Sequence, residues 1–161
     1  MSAAGVEIRE AVDSDARAVA ALYRESAEAH VALSGRFYVV PGEAEALDRA
    51  RLQLADPNRT VLVAIADHMV VGAADLTPLP PPAAGSMVAA VRAIDVGVVV
   101  SASHRGRGIG RALMEAAELR AAGDGVELLT LSARVDNEAA IGLYRSLGYE
   151  VSGVLMHKWI G

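Results

Sequence analysis

The chain has 161 residues, 53% of them hydrophobic and 22% charged, which suits one soluble globular domain with a core of its own. Its net charge of −5 disfavours general nucleic-acid binding, and the absence of cysteine removes disulfides, thiolate metal sites and cysteine nucleophiles. No apolar run approaches a membrane span and the first sixteen residues lack a secretory pattern, so the expected location is cytoplasmic and no membrane partner is expected.

In chain order, VEIREA (6–11) alternates as a strand. Asp13 or Ser14 can cap the helix that follows, with Ala18, Leu22, Ala29 and Leu33 among its inward positions. A second helix is predicted from Glu43 to Leu54, stopped by Asp56-Pro57-Asn58. TVLVAIADHMVVGAADL (60–76) reads as a hairpin turning at Asp67-His68, and the proline-rich 77–86 as a loop.

VRAIDVGVVVS (91–101) is the next strand. Its apolar end predicts burial on both faces, and Gly97 suggests a bulge or a close backbone approach. A helix runs from Ile109 to about Ala122, then a strand over 126–135. A last helix spans 136–147, with Asp136 as N-cap and Gly148 as terminator, and 149–160 reads as two closing strands. The predicted order is β-α-α-β-β-β-α-β-α-β-β, an α/β (α+β) single domain over 1–161 built on one mixed sheet.

The chemistry concentrates at SASHRGRGIGRALMEAAE (101–118). Gly106, Gly108 and Gly110 bare the main chain where a strand gives way to a helix, and Arg105, Arg107 and Arg111 gather positive charge there. Helix N-terminal amides lack internal partners and carry the positive end of the dipole, so a phosphorylated ligand is the natural occupant. A Walker A loop would end in Gly-Lys-Ser/Thr, and a dinucleotide fingerprint would need glycine where Arg111 stands. A glycine-rich connection without a ligand is the plain alternative.

The run Arg105-Gly106-Arg107-Gly108-Ile109-Gly110 fits [R/Q]-x-x-G-x-[G/A] and resembles the acyl-CoA loop of the GNAT superfamily of N-acetyltransferases. A second signature, N-x-x-A-x-x-L-Y-x-x-x-G-[F/Y], matches Asn137, Ala140, Leu143, Tyr144, Gly148 and Tyr149. The resemblance implies a GNAT-like acyl-CoA N-acyltransferase fold. It implies acetyl-CoA as cosubstrate without a metal, with the backbone of Val98, Val99 and Val100 pairing with the pantetheine arm. The loop 105–110 would wrap the diphosphate, Asn137 would hydrogen-bond the arm, and Tyr144 would supply a proton to the departing thiolate. Locally, Asn137 also reads as a helix-start residue and Tyr144 as a half-buried aromatic.

Several GNAT branches carry a Glu where Ser132 stands here, so the base is open, and Asp95 is the first candidate. Glu28, His30 and Tyr38 fall in the segment that the resemblance places over the acceptor. His30, His68, His104 and His157 show no metal-ligand spacing. The implied activity is direct acetyl transfer to a primary amine of a small molecule or peptide. A non-catalytic acyl-CoA-binding module on the same fold is the alternative, and a homodimer is an open assembly state.

Overall fold

The computed structural model describes residues 5–160, and the chain divides into two compact units, Met1–Leu131 and Ser132–Gly161. Part of the reading of the first sixteen residues therefore lies outside the described residues.

The first unit holds a five-stranded sheet. Its strands are β1 (Glu7–Glu10), β2 (Thr60–Ala66), β3 (Met69–Pro78), β4 (Ala93–Val100) and β5 (Leu128–Thr130), in that spatial order. Every neighbouring pair is antiparallel except β4 and β5, which run parallel. Helices α1 (Ala16–Ser34), α2 (Glu43–Ala55) and α3 (Ile109–Gly123) complete the unit.

The hairpin forms as the sequence predicts. Asp67 and His68 both take positive φ, 49° and 63°, the left-handed pair that a two-residue turn needs to match strand twist.

Alternation along the strands divides the core. Val63, Ala73 and Val99 pack against Ala16, Val19, Ala20 and Leu22 of α1 and against Ala46 and Ala50 of α2. On the opposite face, a Cβ added to Gly72 would come within 3.0 Å of Leu113 Cδ1 and 3.1 Å of the Val99 carbonyl. That close approach lets α3 lie on the sheet, where Ile109, Leu113 and Met114 are fully buried. Losing one such large side chain typically costs about 2–5 kcal/mol.

Several boundaries differ from the sequence reading. Neither Asp13 nor Ser14 caps α1: a 3₁₀ turn covers Asp13–Asp15, and Asp15 precedes the helix. The Asp15 carboxylate instead takes two bonds from Arg9, at 2.7 and 3.0 Å, and one from the Val12 amide at 2.8 Å. Ala29 and Leu33 are exposed, not inward, because the buried stripe of α1 ends at Leu22. A 19-residue helix is about 28 Å long, and its later turns outrun the core beneath it.

Gly97 forms no bulge against β3, since the register runs unbroken from Gly72↔Val100 to Pro78↔Ile94. The strand predicted over 126–135 is only Leu128–Thr130. It ends where its pairing with β4 ends, so a β-rich pattern without a partner does not become a ladder.

The second unit contains α4 (Glu138–Ser146). Asn137, not Asp136, is its N-cap, with Oδ1 accepting from the Ala140 amide at 3.2 Å. Asp136 is held by Arg134 through bonds of 2.9 and 2.8 Å. Gly148 takes φ +91° just past the helix and turns the chain, as its terminator role requires. The two closing strands expected in 149–160 are not formed, and Val151, Val154, Leu155 and Ile160 are exposed there. The alternating pattern breaks at Ser152-Gly153, and an isolated two-stranded ribbon has little stability of its own.

Candidate active site

The parallel pairing of β4 with β5 covers only Ala93↔Leu128, Ile94↔Leu129 and Asp95↔Thr130. Beyond Asp95, among the described residues, no strand pairs with Val96–Val100 on that side.

Backbone direction shows which groups border the gap. The Leu79 amide donates to the Ala93 carbonyl and the Ser101 amide to the Val71 carbonyl, so odd-numbered positions face β3. The Arg92 carbonyl accepts from the Glu127 amide on the opposite side. By the alternation of an extended strand, Val98 and Val100 direct their amide and carbonyl groups to the open edge. Val99 does not. Its main chain faces β3 and its side chain lies in the core, which corrects the expectation that all three valines offer backbone to a ligand.

The open edge leads into the glycine loop. Gly106 and Gly108 sit at φ +73° and +80°, and a Cβ at either would meet nothing within 4 Å. Glycine is needed there for the left-handed backbone, and the space above the loop is clear. Gly108 is the N-cap of α3 and provides no side-chain cap. The Ala112 amide makes a helical bond to the Gly108 carbonyl at 3.0 Å, so Ile109 and Gly110 stand at the helix start, where amides lie outside the intrahelical ladder. Ile109 can contribute only main chain to a ligand, because its side chain is 2% exposed in the core.

The loop arginines differ in role. Arg105 Nε donates to the Val100 carbonyl at 3.0 Å, and its guanidinium lies 3.8 Å from Glu25, which also accepts from the Ala102 amide. Arg111 pairs with Glu115 at 3.7 Å, one turn along α3. Arg107 is exposed. His104 is held at the loop entrance through Nδ1 contacts of 2.9 Å with the hydroxyls of Ser101 and Ser103.

Asp95 is half-buried and accepts from the Thr130 hydroxyl at 3.1 Å. Across β3 stands a carboxylate the sequence reading passed over. Asp75 pairs in register with Gly97 and shares its sheet face with Ala73, beneath α1 and α2. It contacts Gln53 Nε2 at 3.3 Å, the Thr77 hydroxyl at 3.4 Å and Arg59 Nη1 at 3.4 Å. Burial pushes its carboxyl above the ordinary value, against the opposing pull of Arg59 and the Thr77 hydrogen bond. The available signal was one acidic residue in an otherwise apolar run, VVGAADL.

His30 and Tyr38 do come together, with ring centroids 4.9 Å apart, and His30 Nδ1 contacts the Ser26 carbonyl at 2.7 Å. Glu28 is exposed two residues away, a spacing that does not put it on the same helix face.

In the second unit, Tyr144 is half-buried with its ring 6.0 Å from that of Tyr149, edge to face. Burial raises its phenol pKa, so it holds its proton more firmly than a free tyrosine. Among the described residues no His, Asp or Glu cluster could hold a metal ion, and no helix is long and apolar enough to cross a membrane.

Residues 16–149 match the model of the Acetyltransferase (GNAT) family. The chain belongs to that family.

Among curated relatives, an L-methionine sulfoximine/L-methionine sulfone acetyltransferase of Pseudomonas aeruginosa is 37% identical over 60 residues. That match spans 37% of this chain and 35% of the relative, about a third of its length. Among solved structures, a tetramutant of the BH1408 protein from Bacillus halodurans superposes with a TM-score of 0.86 at 24% identity, covering 96% of this chain and 99% of that one. An aminoglycoside N-acetyltransferase, AAC(6')-Iy in complex with CoA, gives a TM-score of 0.73 at 17% identity over 96% of this chain and 94% of that one. Both neighbours share the mixed α/β fold of this GNAT chain.

Proposed function

We propose that this chain is an acetyl-CoA-dependent N-acetyltransferase that transfers the acetyl group directly to the primary amine of a small molecule, acting in the cytoplasm. The observation that carries this reading is the open edge of β4, followed through the 3₁₀ turn Ala102–His104 and the glycine loop by the amides at the start of α3.

A pantetheine arm carries amide donors and acceptors in extended array, and the amide and carbonyl of Val98 and the amide of Val100 offer matching groups, the Val100 carbonyl being taken by Arg105. The diphosphate suits the glycine loop and the positive end of the α3 dipole. Arg107 adds charge, whereas Arg105 braces the loop. The bound cosubstrate supplies the activated acetyl group. Asn137, whose Oδ1 is committed to its own helix, would donate to the arm through its amide nitrogen.

An alkylammonium must lose a proton before it can attack, and the sheet provides carboxylates on the α1/α2 face for that purpose. By the signature it occupies, Tyr144 protonates the departing thiolate. A phenol with a pKa above that of a simple thiol remains protonated at neutral pH. His30 and Tyr38 are proposed as acceptor contacts, with Glu28 at the rim.

The direct test is release of free thiol from acetyl-CoA in the presence of L-methionine sulfoximine, an aminoglycoside and an alanyl peptide. Turnover with at least one supports the reading. CoA binding without turnover on any of them would leave a binding module instead.

A further inference from the structure

Asp75 lies in a polar cluster that the core does not satisfy. Gln53 is 8% exposed, and its Nε2 donates to Asp75 at 3.3 Å, while its Oε1 is buried without a partner. Arg59 spends Nη1 on Asp75 at 3.4 Å, and its Nε is likewise buried and unpartnered. The Tyr23 hydroxyl is the third such atom; burial raises its pKa, and the nearby Asp75 charge adds to the rise. Three orphaned polar atoms around one half-buried carboxylate would each cost about 1–3 kcal/mol if nothing ever paired with them. Such a cluster is built for a polar visitor.

Access is also provided. Gly97 is the register partner of Asp75, is exposed, and would meet nothing within 4 Å if it carried a Cβ. The sheet is therefore uncovered beside Asp75, one residue from the open-edge backbone of Val98.

We propose that the acceptor amine enters over the bare Cα of Gly97 and that Asp75, with Gln53 Oε1 and the Tyr23 hydroxyl as further acceptors, binds its ammonium and removes the proton. This rests on the transferase reading and deepens it by naming the base and the amine subsite. Asp75 takes one proton from the ammonium. The freed nitrogen bonds the acetyl carbon, the carbon–sulfur bond breaks, Tyr144 gives its proton to the sulfur as CoA leaves as the thiol, and the second amine proton restores the phenol. Asp75 then gives its proton to water. The charged and titratable groups facing it are Arg59, Arg49 on α2, Tyr23 on α1 and Asp95 on β4, with Gln53 and Thr77 as hydrogen-bonding neighbours.

The test uses the full chain and thiol release with the same three acceptors, measured from pH 5 to 9. Wild type should show an acid limb in kcat/KM above the ordinary carboxylate range, and Asp75→Asn should lose about 10²–10³-fold and the limb with it. Asp95→Asn should retain a limb displaced toward lower pH, because the Asp95 charge helps raise the Asp75 carboxyl. Gly97→Val, which has room to fold, should raise the KM for the amine about tenfold or more and leave CoA affinity unchanged. An Asp75→Asn enzyme that keeps the wild-type rate and limb, or a Gly97→Val enzyme with wild-type KM, would overturn the assignment while leaving the transferase reading intact. Wild type that releases no thiol with any of the three would overturn both.

Discussion

Arg105 reaches back over the end of its own strand, its Nε donating to the Val100 carbonyl at 3.0 Å. A cation expected to face a diphosphate is engaged with the main chain and, at 3.8 Å, with Glu25. Arg105→Ala should therefore weaken CoA binding less than tenfold, by loosening the loop. The variant should also keep the wild-type dependence of affinity on salt, because a phosphate-pairing charge would carry part of that dependence with it. Calorimetric titration of CoA at two sodium chloride concentrations measures both.

Gly108 offers a sharper perturbation. At φ +80° a valine is strained by about 1–2 kcal/mol, and its branches would fill the clear space above the α3 amides. Gly108→Val should reduce CoA affinity at least tenfold. Gly108→Asn separates the two causes, since asparagine tolerates left-handed backbone. It should melt near wild type yet still bind CoA more weakly.

Tyr144→Phe should lower kcat by about 10²-fold or more while leaving the Kd for CoA nearly unchanged. Because burial raises the phenol pKa, wild-type kcat should show no loss from Tyr144 ionisation below about pH 10. Pre-steady-state thiol release separates this chemical step from product release.

Acid stability should depend on Asp15. Hydrogen bonding to Arg9 holds its carboxyl below the ordinary value, and the Val12 amide adds to the effect against a burial penalty. A depressed folded-state pKa stabilises above the unfolded value near 3.9 and is lost as pH falls through the folded one. Arg9 is partly exposed, so screening reduces the contribution, and Asp15→Asn should cost about 1–2 kcal/mol at pH 7. Thermal melts from pH 7 to 3 should show the gap between variant and wild type closing on the acid side.

Local pattern carried much of the architecture. The Asp67-His68 turn, the Glu43 start of α2, the Ile109 start of α3 and the two signatures at 105–110 and 137–149 were legible because each depends on residues adjacent in the chain. The limits of β5 and the failure of 149–160 to form strands were not legible, since a ladder requires a partner that periodicity cannot name. Asn137 displaced Asp136 as N-cap because two adjacent residues of equal capping ability are separated only by the final backbone path and by the Arg134 pair.

By itself, the sequence determined where the backbone is stripped of side chains, where α2 and α3 begin, and which tyrosine lies two turns beyond which asparagine, because these follow from spacing and steric freedom. Only the tertiary structure decided that β4 parts from β5 after Asp95, that Val98 and Val100 face the gap while Val99 does not, and that Gln53, Arg59 and Tyr23 gather around Asp75. The physical reason is that strand pairing and the burial of charge are relations between segments distant in the chain, and their energies exist only once those segments meet.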